Sequence, residues 1–329
     1  MRNRQPQRHP QPRIAEFSRD GLEEHAIGVE EEADSDEVDE KRDRDDAPAK
    51  EDSSGDGRRS QRRLARPVKL IERRQERHGR SDISPSITQA RLDGLIATGT
   101  LTGLAIDGDR ITDAEGLAVT DCTFDGTSFQ HAALNGARFK NCTFNACSFR
   151  SADLSDCIFE RCRCYDTDTE ATCDFSLADL RRARFEGCDL TTARFHRARA
   201  WSIELVNCQA SGADFTETDF SLDRGNFAAA TFDQCNLAYA DFSATNLAEC
   251  SLAGSRLVHA NCRHTRFAGA NLAGCALDNM DANGATLAGT DLRGASFNNL
   301  DPRTTDLTGA RMDPEQGLLI LRALGILIE

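Results

Sequence analysis

Cysteine is the residue type that gives this chain its most obvious capacity for chemistry, because a thiolate can act as a nucleophile or a metal ligand. The chain has 329 residues, and 13 of them are Cys. The stretches CTFNAC (142–147) and CRC (162–164) have spacings that faintly resemble those of metal ligands. Zinc ligands, however, must converge from a loop or knuckle. Free cysteine also behaves as a small buried hydrophobic residue, and the surrounding pattern favours that role.

Histidine offers no alternative catalytic centre. Four histidines lie in the part of the chain that contains the cysteines, namely His131, His196, His259 and His264. None of them has an acid and a nucleophile at a recognisable motif spacing. The chain also has no Walker loop, GxSxG elbow, HExxH motif or GxGxxG in a suitable context. The sequence therefore predicts that the protein is not an enzyme and has no cofactor and no metal ion.

A period of five residues dominates the chain from residue 121 onward. Phe or Leu, which we term the centre of a repeat, recurs for example at Phe139, Phe144, Phe149, Leu154 and Phe159. This period matches neither a helix, with about 3.6 residues per turn, nor an alternating strand. A small residue, usually Ala or Cys, stands two positions before most centres, so both point inward from a locally extended backbone. The polar residues between centres favour corners.

One corner in every five residues closes a square after four repeats, and stacked squares form a solenoid whose coils bury their interior only against one another. The predicted fold is therefore an all-β quadrilateral β-helix of about nine coils, on the order of 40 Å long. Cys164 and Cys262 fall on centres, and the other cysteines fall on the small inward position. The repeat thus predicts that the cysteines pack in the core.

The five-residue period is interrupted twice. One extra residue occurs near 170 and two occur near 222, after which centres continue from 227 to 297. Interruptions this short predict coils without projecting loops.

The chain divides into four segments. Residues 1–80 hold an acidic run, a basic run and few apolar residues, which predicts a disordered charged extension; an arm that docks on a partner is the alternative. Residues 81–120 are predicted to form an N-terminal cap with an irregular first coil. Residues 121–312 are predicted to form the solenoid, and residues 313–329 a helix.

The last segment, DPEQGLLILRALGILIE, has the signals of a capped helix. Asp313 suits the N-cap, Pro314 the first helical position, Gln316 a capping box and Gly325 the C-terminal stop. One helix face can seal the open end of the solenoid, and the surplus apolar residues predict a homodimer through this helix. The predicted interface residues are Leu318, Leu321, Leu324, Ile326 and Ile328.

The five-residue pattern over residues 121–312 resembles the pentapeptide-repeat family. The stretches CNLAYADFSATNLAECSLAGSRL (235–257) and FNNLDPRTTDLTGARMDPEQGLLILRALGILIE (297–329) are similar to the later coils and the C-terminal dimerisation module of its Qnr and MfpA members. This resemblance implies a right-handed β-helix and a dimeric rod that imitates B-DNA and protects DNA gyrase from fluoroquinolones. The short interruptions make the sequence more similar to MfpA than to the loop-bearing Qnr proteins.

The charge of the chain is compatible with such a role. The formal net charge is −14, and residues 121–329 hold 28 Asp and Glu against 19 Lys and Arg. A protein this acidic is not expected to bind nucleic acid, and it attracts basic partners. When residues one coil apart are aligned across both interruptions, the position before the centre forms an acidic column on one face. The residues predicted to bind the partner are Asp179, Asp219, Asp241, Asp281 and Asp301.

A cluster of arginines in the stretch RRARFEGCDLTTARFHRAR (181–199) stands against this acidic character. We expect these arginines to pair with nearby acids rather than to form a separate binding patch. Trp201, the sole Trp, is predicted to point outward, where it either contacts a partner or fills a gap.

The sequence as a whole predicts a DNA mimic that binds DNA gyrase, a type II topoisomerase, and protects it from fluoroquinolones or a similar poison. The alternative is a pentapeptide-repeat interaction module without a topoisomerase role. The N-terminus has no apolar leader, and no segment offers the roughly 18 apolar residues that span a bilayer. A cytoplasmic protein without membrane contact is therefore expected.

Overall fold

Short strands and two helices make up the regular structure of the described residues. The computed structural model describes residues 87–220 and 229–328. The elements are, in chain order, α1 (Gln89–Ile96), β1 (Thr100–Thr102), β2 (Ala105–Asp107), β3 (Ala118–Thr120), β4 (Thr123–Asp125), β5 (Arg138–Lys140), β6 (Thr143–Asn145), β7 (Ile158–Glu160), β8 (Tyr165–Asp166), β9 (Ala171–Thr172), β10 (Arg184–Glu186), β11 (Glu204–Val206), β12 (Thr231–Asp233) and α2 (Pro314–Ala323).

The strands stack in parallel as the five-residue repeat requires. Seven of them form one sheet in the order β1-β3-β5-β7-β10-β11-β12, and β2-β4-β6 form a second. Within a regular stretch each residue pairs with the residue four repeats later, as Phe139 does with Phe159. Isolated parallel bridges line the two remaining sides, for example between Ala133 and Asp153. The predicted right-handed quadrilateral β-helix is therefore confirmed.

The four sides of the solenoid are named here by their centres in chain order. Face 1 carries Phe139 and Phe159, face 2 Phe144 and Cys164, face 3 Phe149 and Phe175, and face 4 Leu154 and Leu180. The residue before each centre points outward from its face, and the two residues after the centre form the corner that leads to the next face.

Stacked phenylalanines fill the interior. Along face 3, neighbouring rings from Phe149 through Phe175, Phe195 and Phe215 to Phe242 lie nearly parallel, with centroids 4.7–5.1 Å apart. Burial of each such side chain contributes about 1.5–3 kcal/mol. The small residue two positions before each centre leaves room for these rings. All 13 cysteines are unpaired and buried, in agreement with the predicted core role.

A short coil and helix α1 cover the N-terminal end of the described solenoid. Thr100 pairs with Ala118, so this coil is two residues shorter than the regular coil that joins Ala118 to Arg138. Leu92 of α1 is buried in the same core. The Gln89 side chain accepts a hydrogen bond from the Arg110 N–H (3.1 Å) and donates one to the Arg110 carbonyl (2.8 Å). The predicted charged extension, residues 1–80, lies outside the described residues.

Helix α2 closes the C-terminal end. The Asp313 N–H donates to Gln316 Oε1 (2.7 Å), which is half of the predicted capping box, and Gly325 follows the helix at φ 82°. The buried Gln316 amide also donates to the carbonyls of Leu292 (2.7 Å) and Ala295 (2.6 Å). These bonds hold the start of the helix on the last coils. Among the described residues, no helix is both long and apolar enough to span a bilayer.

Candidate partner-binding surface

The first interruption of the repeat is longer than the sequence predicts. Arg163 pairs with Thr143 across a regular coil. The coil that joins Ser148 to Asp174 is six residues longer than this regular coil. Six residues are therefore inserted at the corner between faces 2 and 3, where β8 and β9 form an antiparallel hairpin. The expectation of coils without projecting loops is wrong here. The sequence underestimates the insertion because position 169 fits the five-residue period. In the structure this residue is an exposed Thr in the hairpin.

The register changes again after Asp219. Arg199 pairs with Asp219 across a regular coil, but the coil that joins Asp214 to Asp241 is seven residues longer than a regular coil. Seven residues are therefore inserted where the period indicated two. The predicted centre Phe227 lies outside the described residues.

The second insertion divides the predicted acidic column between two faces. Asp179 and Asp219 lie on face 4, whereas Asp241 and Asp281 lie on face 3. Asp301 lines the same surface depression as Asp281. The prediction that all five aspartates share one column is wrong, because the insertion contains one whole repeat more than expected and moves every later residue to the neighbouring face.

Asp179 is a structural residue in this geometry. Its carboxylate lies 2.6 Å from Arg181 Nη2 and 2.9 Å from Arg199 Nη2, and the residue is only 4% exposed. A carboxylate that is buried and doubly paired presents little charge to a partner.

Face 3 carries an acidic column in which Arg194 and Asn261 interrupt the aspartates. From the first insertion onward, the residues before its centres are, in order, Asp174, Arg194, Asp214, Asp241, Asn261 and Asp281. Each Asp accepts a hydrogen bond from the N–H two residues later, as Asp214 Oδ1 does from Thr216 (2.9 Å) and Asp241 Oδ1 from Ser243 (2.8 Å). These local turns hold the carboxylates at the surface.

The two adjacent aspartates in the middle of face 3 differ from Asp281 and Asp301 in their partners. Within the described ranges, neither Asp214 nor Asp241 forms an ion pair with a cationic side chain. By contrast, Asp281 lies 3.5 Å from Arg263 Nη1, and Asp301 lies 2.9 Å from Arg303 Nε. The neighbouring hairpin adds Asp166, Asp168 and Glu170 near the same face.

Sequence reasoning missed Asp174 and Asp214. Both belong to an Asp-Phe dipeptide, as does Asp241, and the following residues Phe175, Phe215 and Phe242 all belong to the ring stack of face 3. The dipeptide alone does not fix the register, because Asp219 and Phe220 form the same dipeptide on face 4.

Five of the six arginines of the cluster pair with neighbouring acids, as predicted, whereas Arg194 on face 3 forms no ion pair with a described residue. Arg182 Nη2 lies 2.6 Å from Asp156 Oδ2, Arg197 Nε lies 2.6 Å from Glu217 Oε2, and Arg184 pairs with Glu204. Hydrogen bonding from Arg182 lowers the pKa of the Asp156 carboxyl below its ordinary value.

Trp201 packs among these ion pairs. The guanidinium groups of Arg181 and Arg182 lie 5.4 and 5.5 Å from the centroid of its ring. This is the range of cation–π attraction, so the indole holds part of the arginine cluster in place.

The apolar side of helix α2 faces solvent. The five residues predicted to form a dimer interface are all exposed in the single chain, namely Leu318, Leu321, Leu324, Ile326 and Ile328. Leu327, which follows the helix, is almost fully exposed.

Burial suppresses the thiol chemistry of at least three core cysteines. Burial raises the pKa of Cys157, Cys250 and Cys275 to about 12, so these thiols stay protonated. No three His, Cys, Asp or Glu side chains of the described ranges converge in an arrangement that could hold a metal ion. The chemistry that the surface offers is thus the charge and hydrogen bonding of carboxylates.

These features define a five-residue-repeat solenoid with an acidic face and an exposed terminal helix. A family model described as pentapeptide repeats (8 copies) matches residues 122–161, 173–208, 226–261, 260–299 and 285–313. The structure of full-length QnrB1, described as a plasmid-mediated fluoroquinolone resistance protein, superposes with a TM-score of 0.58 at 31% identity over 69% of this chain and 100% of that chain. The chain belongs to the pentapeptide-repeat family.

Curated relatives give the same assignment. The quinolone resistance pentapeptide repeat protein QnrB96 of Scandinavium goeteborgense is 36% identical over 159 residues, which are 47% of this chain and 64% of that protein. The pentapeptide repeat protein QnrB4 of Escherichia coli is 37% identical over 98 residues, which are 29% of this chain and 46% of that protein. The alignments thus span less than two thirds of either relative. HetL of a Nostoc strain shares the fold, with a TM-score of 0.55 at 19% identity.

Proposed function

We propose that the protein is a DNA mimic that binds the DNA-binding surface of DNA gyrase. By this binding it protects gyrase from fluoroquinolones or a similar topoisomerase poison. It acts as a binding protein and not as an enzyme. The observation that carries this proposal is the carboxylate column of face 3, in which Asp214 and Asp241 stand on adjacent coils without a cationic partner within the described ranges.

The spacing of this column suits a surface that binds a phosphate backbone. Coils stack at about 4.8 Å, and each DNA strand carries one charge per roughly 3.4 Å of helix axis. Arg194 and Asn261 interrupt the column, which dilutes its charge. A basic surface that recognises regularly spaced negative charge is therefore attracted to face 3, and the attraction speeds the encounter.

Similarity to the Qnr proteins supports the choice of partner and poison. QnrB96 is named as a quinolone resistance protein, and the QnrB1 structure is described as that of a fluoroquinolone resistance protein. This chain covers the full length of the QnrB1 structure at 31% identity.

The proposed assembly is a homodimer through helix α2. Leu321 is exposed on helix α2 and Leu324 directly after it, and the first turn of this helix is bound to the last coils. A two-fold contact between two copies covers the same apolar patch on both and joins two solenoids into a longer acidic rod. A cytoplasmic location completes the proposal, because gyrase acts there and a reducing compartment keeps buried thiols unpaired.

A supercoiling assay tests the proposed function. Purified gyrase is incubated with relaxed plasmid and inhibitory ciprofloxacin, with and without the protein, and direct binding to gyrase is measured in parallel. We expect the protein to restore supercoiling in the presence of the drug. Absence of both protection and binding would refute the proposal.

A further inference from the structure

The exposed large apolar side chains of the solenoid both border face 3. Outside α2 and the residues after it, the described ranges contain two such side chains, Leu177 and Tyr239. Tyr239 is 63% exposed at the corner between faces 2 and 3, and Leu177 is 41% exposed at the corner between faces 3 and 4. An acidic face with an apolar group on each edge has the composition of a protein interface, in which a few large side chains sit among polar ones.

Tyr239 occupies a backbone conformation that favours glycine. Its φ is 61°, and the equivalent corner of the preceding coil is occupied by Gly212, at φ 68°. A bulky residue in this region carries a conformational cost. Other non-glycine residues at solenoid corners share this conformation, His259 among them, so the feature that distinguishes Tyr239 is its large and exposed ring.

The contacts of the Tyr239 ring leave it available to a partner. One side stacks on His259 of the following coil, with centroids 5.0 Å apart and an interplanar angle of 12°. On the other side the preceding coil contributes Gly212, which has no side chain to cover the ring. The most exposed aromatic ring on the described solenoid is thus held in a fixed orientation beside the acidic column.

We propose that Tyr239 is the anchor on which an arginine of the partner's DNA-binding surface stacks, with its guanidinium paired to Asp214 and Asp241. These aspartates lie two residues after Gly212 and Tyr239 and face each other in register. Arginine is the side chain that both stacks on an aromatic ring and pairs with carboxylates through its planar fork. A nucleic acid base could also stack there, but the surrounding carboxylates repel its phosphates. The assignment rests on the proposed function, since it identifies a contact of the same surface.

Replacement of Tyr239 by glycine separates the binding role from the fold. Tyr239→Gly removes the ring and relieves the backbone, so we expect a melting temperature no lower than that of the wild type. Its Kd for purified gyrase should rise at least about tenfold, as for an interface hot spot. Tyr239→Phe keeps the stacking face and should bind within about twofold of the wild type.

Asn207→Gly is the matched control. Asn207 also has a positive φ, of 52°, at a corner that does not border face 3, and this variant should bind gyrase as the wild type does. If wild-type protein binds gyrase and Tyr239→Gly binds as tightly, the anchor is refuted while the proposed function stands. If wild-type protein does not bind gyrase, both are refuted. Melting of Tyr239→Gly below the wild type, with Asn207→Gly unchanged, would make the ring a structural element and overturn the assignment.

Discussion

Removal of three charges from face 3, without a change in the backbone, should weaken binding to gyrase. The variant Asp214→Asn/Asp241→Asn/Asp281→Asn keeps an amide oxygen where each carboxylate now accepts the N–H of Thr216, Ser243 or Asn283 at 2.8–3.1 Å. The corners therefore keep their hydrogen bonds, and we expect each substitution to change the free energy of unfolding by less than about 0.5 kcal/mol.

The loss of binding follows from the partners of each carboxylate. A hydrogen bond to a charged group contributes about 1 kcal/mol more than a neutral one. Asp214 and Asp241 have no cationic partner within the described ranges, so each loses that full difference, whereas Asp281 is already compensated by Arg263 at 3.5 Å and loses less. The total of about 2–3 kcal/mol corresponds to a Kd that is roughly 30- to 150-fold higher.

A second triple variant controls for net charge. Asp153→Asn/Asp189→Asn/Asp306→Asn makes the same change on faces 2 and 4, at residues that accept the same type of hydrogen bond from Ser155, Thr191 and Thr308. Binding to gyrase is measured by titration at two salt concentrations, together with supercoiling in ciprofloxacin. The reasoning would be refuted if both triple variants lost affinity equally, because net charge and not face 3 would then control binding.

Three further predictions concern the assembly and the core. Leu321→Glu with Leu324→Glu should give monomers in sedimentation velocity, because charges replace exposed apolar groups on α2; persistent dimers would exclude this helix from the interface. Phe215→Ala should cost about 3–5 kcal/mol in urea unfolding, since its ring lies between those of Phe195 and Phe242, each 4.7 Å away; a loss below about 1 kcal/mol would contradict the ring stack. Stability should fall as the pH rises from 9 towards 12, because the unfolded thiols ionise near 9.0 while burial raises the folded pKa of Cys250 and Cys275 to about 12. Cys250→Ala/Cys275→Ala should reduce this loss in thermal melts, and an identical pH profile would argue against the buried thiols as its cause.

The interior of the solenoid could be predicted from the sequence because the period of five determines which residues are buried. A large centre and a small residue two positions earlier must both be buried, and Phe144 and Cys142 are. The signals at the C-terminus were equally direct, since Pro314 and Gln316 begin the helix where the sequence indicated.

The faces could not be predicted in the same way. Both insertions exceed the visible interruption by one repeat, and a count by fives cannot distinguish a repeat inside a coil from five residues inserted at a corner. Thr169 fits the period and yet lies in a hairpin. Only the pairing of Asp214 with Asp241 shows which outward residues share a face.

The Asp-Phe dipeptide connects the stability of the rod with its proposed mimicry. Asp214 and Asp241 face each other on adjacent coils, and repulsion between two exposed charges at about 4.8 Å is about 1 kcal/mol in water. Directly after them in the chain, Phe215 and Phe242 stack with centroids 4.7 Å apart, and such an aromatic pair contributes about 0.5–1.5 kcal/mol beyond its buried area. The ring contact in the interior therefore offsets the charge repulsion at the surface. A solenoid of this kind can hold like charges at regular intervals because each coil stabilises its neighbour through the core and not through the face that the partner contacts.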